Sequence, residues 1–194
     1  MDQISKKIKM ISAKLKKLKN KFFHHEIDGY VVPKNDEYFS EFAKKDKLKT
    51  ITGFDGSFGL AIILKKKNFL FVDGRYTEQA KIQAGKEFEI LEIPKKLPYQ
   101  ILNSRLNLGF DPAVFTSRNL LYYFRNKVKL TSITKTIINS NISNNHTSKF
   151  YSLNPKVVGE TVDSKIKRLI QILKKDRSDH IFISAPENVA WLVK

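Results

Sequence analysis

The residues best suited to chemistry are an acid, a guanidinium and a phenol that lie close together, Asp73, Arg75 and Tyr76. An arginine can hold a carboxylate through two parallel hydrogen bonds, so Arg75 is a candidate for binding one. The same residues also have a structural interpretation. Asp73 would accept free amide hydrogens at a helix start, Arg75 would pair with a nearby carboxylate, and Tyr76 would join Ala80 and Ala84 in a buried stripe. The spacing favours this structural interpretation.

Other chemical signals in the chain are weaker. Glycines spaced G-x-x-G-x-x-G at 53–59 match neither G-x-G-x-x-G nor a P-loop. We interpret Gly53 and Gly56 as turn residues, with a phosphate cradle as the alternative. The run His24-His25-Glu26 predicts a solvated helix end, because adjacent side chains point in different directions and rarely share one metal ion. The chain has no cysteine, which excludes disulfides and thiolate zinc sites.

The elements that position Asp73 and its neighbours are predicted from apolar spacing. Two apolar runs, 60–64 and 69–72, flank four polar residues and predict a β-hairpin. Asp73 ends the second strand, and a helix is predicted from about residue 75 to residue 84. Gly85 is expected to end that helix with a positive φ.

Helices and strands alternate along the rest of the chain. An apolar stripe from Ile4 to Phe22, with steps of three and four, predicts a helix packed on a sheet, and a membrane-surface helix is the alternative. Strands are predicted at 30–32, 88–93, 107–110 and 128–133, and helices at 35–44 and 116–126. The predicted fold is therefore α/β, a mixed β-sheet flanked by helices.

A polar segment of low complexity, NSNISNNHTS at 139–148, predicts a domain linker. We assign the first domain to 1–138, the linker to 139–152 and the start of a second α/β domain to 153–194. This last part is expected to hold an amphipathic helix with an apolar stripe from Val162 to Leu173, a strand at 180–184 and a helix that begins at Pro186. Trp191 is expected in its core.

Length and charge limit the classes of function. A chain of 194 residues suits one domain, or one domain with part of another. No apolar run approaches the roughly 18 residues that span a bilayer, and no secretory signal is evident, so we expect a cytoplasmic protein. The net charge of +17 comes nearly all from lysines spread along the chain, which argues against a specific nucleic-acid site. A basic module that binds nucleic acid or anionic surfaces stays open as the alternative.

Several motifs together resemble one family. The stretch TGFDGS…A…FVDGRYTEQA, which includes Gly53, Gly56, Asp73 and Gly74, is similar to the non-catalytic N-terminal domain of Xaa-Pro aminopeptidases (aminopeptidase P), in the creatinase/prolidase-like metallopeptidase group. The resemblance continues in DGYVVP, LGFDP and ENVAWL, the last containing Trp191. In the family this last segment leads to an N-x-R-G motif, and the chain ends at Lys194 before that motif.

The resemblance implies a creatinase/prolidase N-terminal-like domain followed by the start of a similar second domain, in a chain truncated before the catalytic domain. The family's two divalent ions, usually manganese, belong to that catalytic domain, so no catalytic residue, metal ligand or cofactor is carried over to this chain. The implied role is to shape substrate access or to assist oligomerisation, without activity alone, as a homo-oligomer or beside a catalytic partner chain. Arg75 and Tyr76 would then face a substrate. A degraded gene remnant is a further alternative.

Overall fold

The structure is a computed structural model that describes residues 3–40, 46–134, 137–138, 151 and 153–193. The chain divides into two compact units, Met1–Glu37 with Glu41–Asn141, and Tyr38–Ser40 with Ile142–Lys194. All strands of the described residues belong to the first unit.

The first unit is built on a six-stranded sheet with the order β4-β3-β2-β1-β5-β6. Strand β2 runs antiparallel to both of its neighbours, and every other neighbouring pair is parallel. The predicted mixed sheet is therefore confirmed. Its strands are β1 (Gly29–Pro33), β2 (Leu60–Leu64), β3 (Asn68–Asp73), β4 (Glu89–Ile93), β5 (Asn107–Phe110) and β6 (Lys129–Ser132).

The central hairpin, β2 with β3, is buried on both faces of the sheet. Ala61, Ile63 and Leu70 contribute to the apolar cluster on one face, and Ile62 and Phe71 contribute to the cluster on the other. Burial on both sides explains why these strands are continuous apolar runs without polar alternation. The hairpin prediction is confirmed within one residue at each strand.

Helices cover the sheet. The N-terminal stripe packs as predicted, because Ile11, Leu15 and Leu18 are each 3% exposed and Phe22 is 1% exposed within the core. The side chain of Ile4 lies outside the described residues. The helices are α1 (Gln3–Lys19), α2 (Lys47–Thr52), α3 (Thr77–Ala84), α4 (Pro98–Ile101) and α5 (Ser117–Phe124), with short 3-10 turns at Gly74–Tyr76 and Pro112–Val114.

The helix predicted at 35–44 is wrong over 35–40, and 41–44 lie outside the described residues. The Asn35 side-chain amide donates to the backbone oxygens of Asp36 and Val114, at 2.9 and 3.0 Å, and this holds the segment in an irregular path. The helix starts later instead. Asp46 caps α2 by accepting the Lys49 amide at 2.8 Å.

Gly85 does end a helix, but the predicted positive φ is wrong. Its φ is −60°, in the right-handed region. A Cβ at this position would lie 2.4 Å from the backbone oxygen of Lys81. Glycine is required here because the two backbone segments approach closely.

The second unit consists of helices in its described residues: α6 (Pro155–Val158), α7 (Val162–Lys175) and α8 (Pro186–Leu192). The predictions of α7 and α8 are confirmed, whereas the strand at 180–184 is wrong. The described residues of this unit contain no strand that could pair with the segment, and Phe182 is 90% exposed. A strand needs a neighbour to satisfy its backbone hydrogen bonds.

Trp191 is 56% exposed, so its expected place in a core is also wrong. The Lys165 ammonium lies 4.5 Å from the centre of the Trp191 ring and donates to the Trp191 backbone oxygen at 2.7 Å. The predicted linker at 139–152 lies outside the described residues except for Tyr151, and the domain boundaries stay a prediction.

Candidate functional site

One edge of the sheet carries several charged groups that could act on a ligand. Five of the six strands run in the same direction, so their carboxyl ends meet at this edge. Ligands of α/β proteins commonly bind at the carboxyl ends of parallel strands. We call this the carboxyl edge, and it carries Lys34 after β1, Asp73 as the last residue of β3 and Asp111 after β5.

Asp73 and Arg75 form a hydrogen-bonded ion pair at the carboxyl edge. The Asp73 carboxylate accepts the Arg75 amide at 2.9 Å, which caps the turn as predicted. It also accepts from the Arg75 side chain, at 2.6 Å from Nη2 and 3.2 Å from Nε. These side-chain hydrogen bonds are the main reason that the pKa of Asp73 is lowered. The Arg75 side chain stays 74% exposed, so Asp73 orients a cation that solvent and ligands can reach.

Tyr76 is more buried than Arg75. Its hydroxyl and the Ser57 hydroxyl are 2.7 Å apart, and its ring meets the Phe54 ring edge to face, with centroids 6.0 Å apart. The Arg75 guanidinium stands 5.3 Å from the centre of the Tyr76 ring. Tyr76 thus supports Arg75 and the glycine-rich loop. That Arg75 and Tyr76 face a substrate stays a prediction.

The loop at 53–59 wraps around the ring of Phe54, which is fully buried. Gly53 ends α2 with a φ of 77°, a left-handed value that favours glycine. A Cβ on Gly56 would lie 2.3 Å from the Phe54 ring, and one on Gly59 would lie 2.7 Å from a Leu48 methyl group. Gly56 is therefore needed for close packing rather than as a turn residue.

Asp55 fastens this loop to α3. Its carboxylate accepts from Gln79 and Gln83, both at 2.8 Å, and pairs with Lys49 at 3.4 Å. The Gln83 hydrogen bond is the main cause of a lowered pKa at Asp55. The loop amides of Phe54 and Asp55 already donate to side chains of this unit. This arrangement does not support the alternative of a phosphate cradle.

A second charged pair at the carboxyl edge was not predicted. Asp111 accepts the Ala113 amide at 3.1 Å, as Asp73 does at its own strand end, and pairs with Lys47 at 2.7 Å. Burial, reinforced by the Asp111 charge, raises the pKa of the Tyr30 phenol. With β1 and β2 between them, the ends of β3 and β5 are about 14 Å apart at a spacing of about 4.8 Å per strand. The available signal was the same pattern in both segments, a strand that ends in aspartate before a tight turn.

The described residues do not fit a metal centre. They contain no group of three or more His, Cys, Asp or Glu side chains that could hold an ion. His24 is exposed, and its ring contacts only the exposed Phe23 among the aromatic contacts described. None of the helices in the described part of the chain is both long and apolar enough to cross a bilayer.

Comparison with protein families gives two adjoining matches. Residues 14–139 match a model described as the creatinase/prolidase N-terminal domain, and residues 141–194 match a second model with the same description. The chain belongs to the creatinase/prolidase N-terminal domain family. This confirms the resemblance seen in the glycine-rich loop and the D-G-R-Y motif.

Relatives of this creatinase/prolidase chain are aminopeptidases. It is 29% identical to a probable Xaa-Pro aminopeptidase P from Laccaria bicolor, over 94% of this chain and 31% of that protein. It is 30% identical to aminopeptidase P1 from Arabidopsis thaliana, over 86% of this chain and 28% of that protein. The chain thus spans about a third of the length of the curated relatives it matches.

Solved structures support the same fold. The X-prolyl aminopeptidase from Caenorhabditis elegans, described as a cytosolic enzyme with a di-nuclear active site, matches 94% of this chain and 34% of its own at a TM-score of 0.69 and 21% identity. The N-terminal domain of the cytoplasmic peptidase PepQ from Mycobacterium tuberculosis matches 64% of this chain and 95% of its own, at a TM-score of 0.51 and 22% identity.

Proposed function

We propose that residues 1–194 act as the N-terminal, non-catalytic portion of an Xaa-Pro aminopeptidase. They would shape substrate access to a catalytic domain outside these residues, or form subunit contacts around it. The main support for the proposal is the Asp73–Arg75 pair. It presents an exposed guanidinium at the carboxyl edge of a sheet that belongs to the creatinase/prolidase N-terminal domain family. The proposal includes the domain boundaries 1–138, 139–152 and 153–194, and a cytoplasmic location.

Arg75 has the chemistry for such a role. A peptide substrate carries a carboxylate at its C-terminus, and a guanidinium binds carboxylates through paired hydrogen bonds. Asp73 holds the Nε and Nη2 side of Arg75, and most of the side chain remains accessible. In the proposal Arg75 binds substrate ahead of the chemical step, while a partner catalytic domain or chain supplies the two divalent ions.

This role can be tested in an enzyme that carries residues 1–194 in place of the matching N-terminal region of the Laccaria bicolor relative. We expect the grafted enzyme to cleave an Xaa-Pro peptide in the presence of Mn²⁺. Arg75→Gln should raise KM about tenfold with little change in kcat, since the lost contact is made equally in the ground and transition states. Arg118→Gln, which removes an exposed arginine from α5, is the matched control.

Two results would contradict the proposal. One is a folded, metal-loaded graft that has no activity. The other is an active graft in which Arg75→Gln and Arg118→Gln leave KM at the same value, because Arg75 would then have no part in binding substrate.

A further inference from the structure

A cleft of about 270 Å³ in the first unit has no place in the proposed function. It lies between α1, the end of α2 and residues 137–138. Three lysines border it, Lys14 and Lys17 of α1 and Lys21, which follows α1. Apolar side chains of Leu18, Ile51 and Ile138 also line it, so lysines border an apolar floor.

The three lysines share one stripe of the N-terminal segment, with steps of three and four residues. Like charges three or four residues apart repel one another on a helix surface. Within the described part of the chain, no carboxylate bonds to any of them, and Lys21 donates only to the neutral backbone oxygen of Ile137, at 2.7 Å. Helix α1 contains no acidic residue at all. A bound anion would relieve this repulsion.

The lysines near the C-terminal end of α1 also have a simpler role, because cations there complement the helix dipole. This accounts for Lys17, in the last turn region, but it does not account for Lys14, one turn earlier. It also does not explain why apolar side chains line the space between the lysines. A ligand with both a charge and an apolar part does explain it.

The residues around the cleft and its volume limit the chemical class of ligand that it can bind. A lipid bilayer is a poor partner, because the apolar stripe of α1 is buried in the core and has nothing left to insert. The volume lies just below the roughly 300–1,000 Å³ typical of drug-sized ligands, so the ligand must be small. One anionic group with a short aliphatic chain satisfies both the lysines and the floor.

We propose that this cleft binds a small aliphatic carboxylate. The carboxylate lies among the ammonium groups of Lys14, Lys17 and Lys21, and the aliphatic chain contacts Ile51 and Ile138. Such a ligand can be a free fatty acid of short chain or the C-terminus of a short peptide that ends in an aliphatic residue. This inference does not depend on the non-catalytic role proposed above.

The test is calorimetric titration of the full chain with octanoate, and with octanamide as the neutral analogue of the same length. We expect octanoate to bind and octanamide to bind at least tenfold more weakly. The variant Lys14→Gln/Lys17→Gln should weaken octanoate at least tenfold. Lys6→Gln/Lys16→Gln removes the same charge from α1 outside the cleft and should bind octanoate as the wild type does. A parallel titration with glycyl-leucine in place of octanoate measures whether the cleft binds the C-terminus of a short peptide or a free fatty acid.

Methyl-group NMR of the unmodified chain gives a second readout that needs no variant. Octanoate should shift the methyl signals of Ile51 and Ile138 and leave those of Ile62, in the other apolar cluster, in place. Equal weakening by both double variants would overturn the proposal, because it would indicate diffuse charge attraction. Equal binding of octanamide, or unchanged Ile51 and Ile138 signals at millimolar octanoate, would overturn it as well.

Discussion

Phe54→Ala is expected to lower the free energy of unfolding of the first unit by about 3–5 kcal/mol, the usual cost of emptying a buried phenylalanine site. The ring is fully buried in the core that α2 and the central hairpin share, and Tyr76 contacts it from the side. Its loss would leave a cavity under the glycine-rich loop. Chemical denaturation followed by circular dichroism measures the effect.

Two comparisons make this prediction specific. Phe23 is 86% exposed, so Phe23→Ala should change the free energy of unfolding by no more than about 0.5 kcal/mol. Gly56→Ala should destabilise the wild type, because its Cβ would enter the space of the Phe54 ring. The same change should cost much less in the Phe54→Ala background. Additive effects of these two substitutions would show that Gly56 does not make room for the Phe54 ring.

Asp46→Ala is expected to cost about 2–3 kcal/mol, the sum of a lost helix cap at about 1 kcal/mol and a partly buried ion pair. Asp46 caps α2 and also pairs with Lys34, and the two side chains are only 17% and 11% exposed. Their contact ties α2 to the end of β1 at the carboxyl edge. Removing the carboxylate leaves the largely buried Lys34 ammonium without this partner.

Asp46→Asn separates the two contributions, because asparagine caps helices as well as aspartate does but carries no charge. We expect it to cost about 1–2 kcal/mol, less than Asp46→Ala. In a double-mutant cycle with Lys34→Met, the two side chains should show a coupling of about 1 kcal/mol. Equal effects of Asn and Ala at this position, with no coupling to Lys34, would show that the ion pair contributes nothing.

Sequence reasoning found the elements whose signal is local. The hairpin was predictable because both of its strands are apolar runs on either side of a polar turn, and α5 was predictable from its Thr116 cap. The helix prediction failed over 35–40 because Asn35 bonds to Val114, 79 residues away, and no pattern in the segment itself shows that contact. The strand at 180–184 has an apolar pattern, but the described unit offers it no neighbouring strand.

The candidate site was predictable only in part, for the same reason. Asp73 and Arg75 are only two residues apart in sequence, so their capping and pairing could be proposed directly. Lys47 and Asp111 are separated by 64 residues, and only the parallel pairing of β1 with β5 and the position of α2 bring them together. Gly56 was assigned to a turn because glycine spacing alone does not show that the Phe54 ring packs against this position.

We propose that residues 1–194 contribute to Xaa-Pro aminopeptidase function without performing the chemistry. The most direct measurement is release of the first residue from an Xaa-Pro peptide by the purified, folded chain in the presence of added Mn²⁺, with a chelator-treated sample as control. We expect no release above the chelator control. Mn²⁺-dependent release that co-purifies with the chain and persists after contaminating peptidases are removed would contradict it.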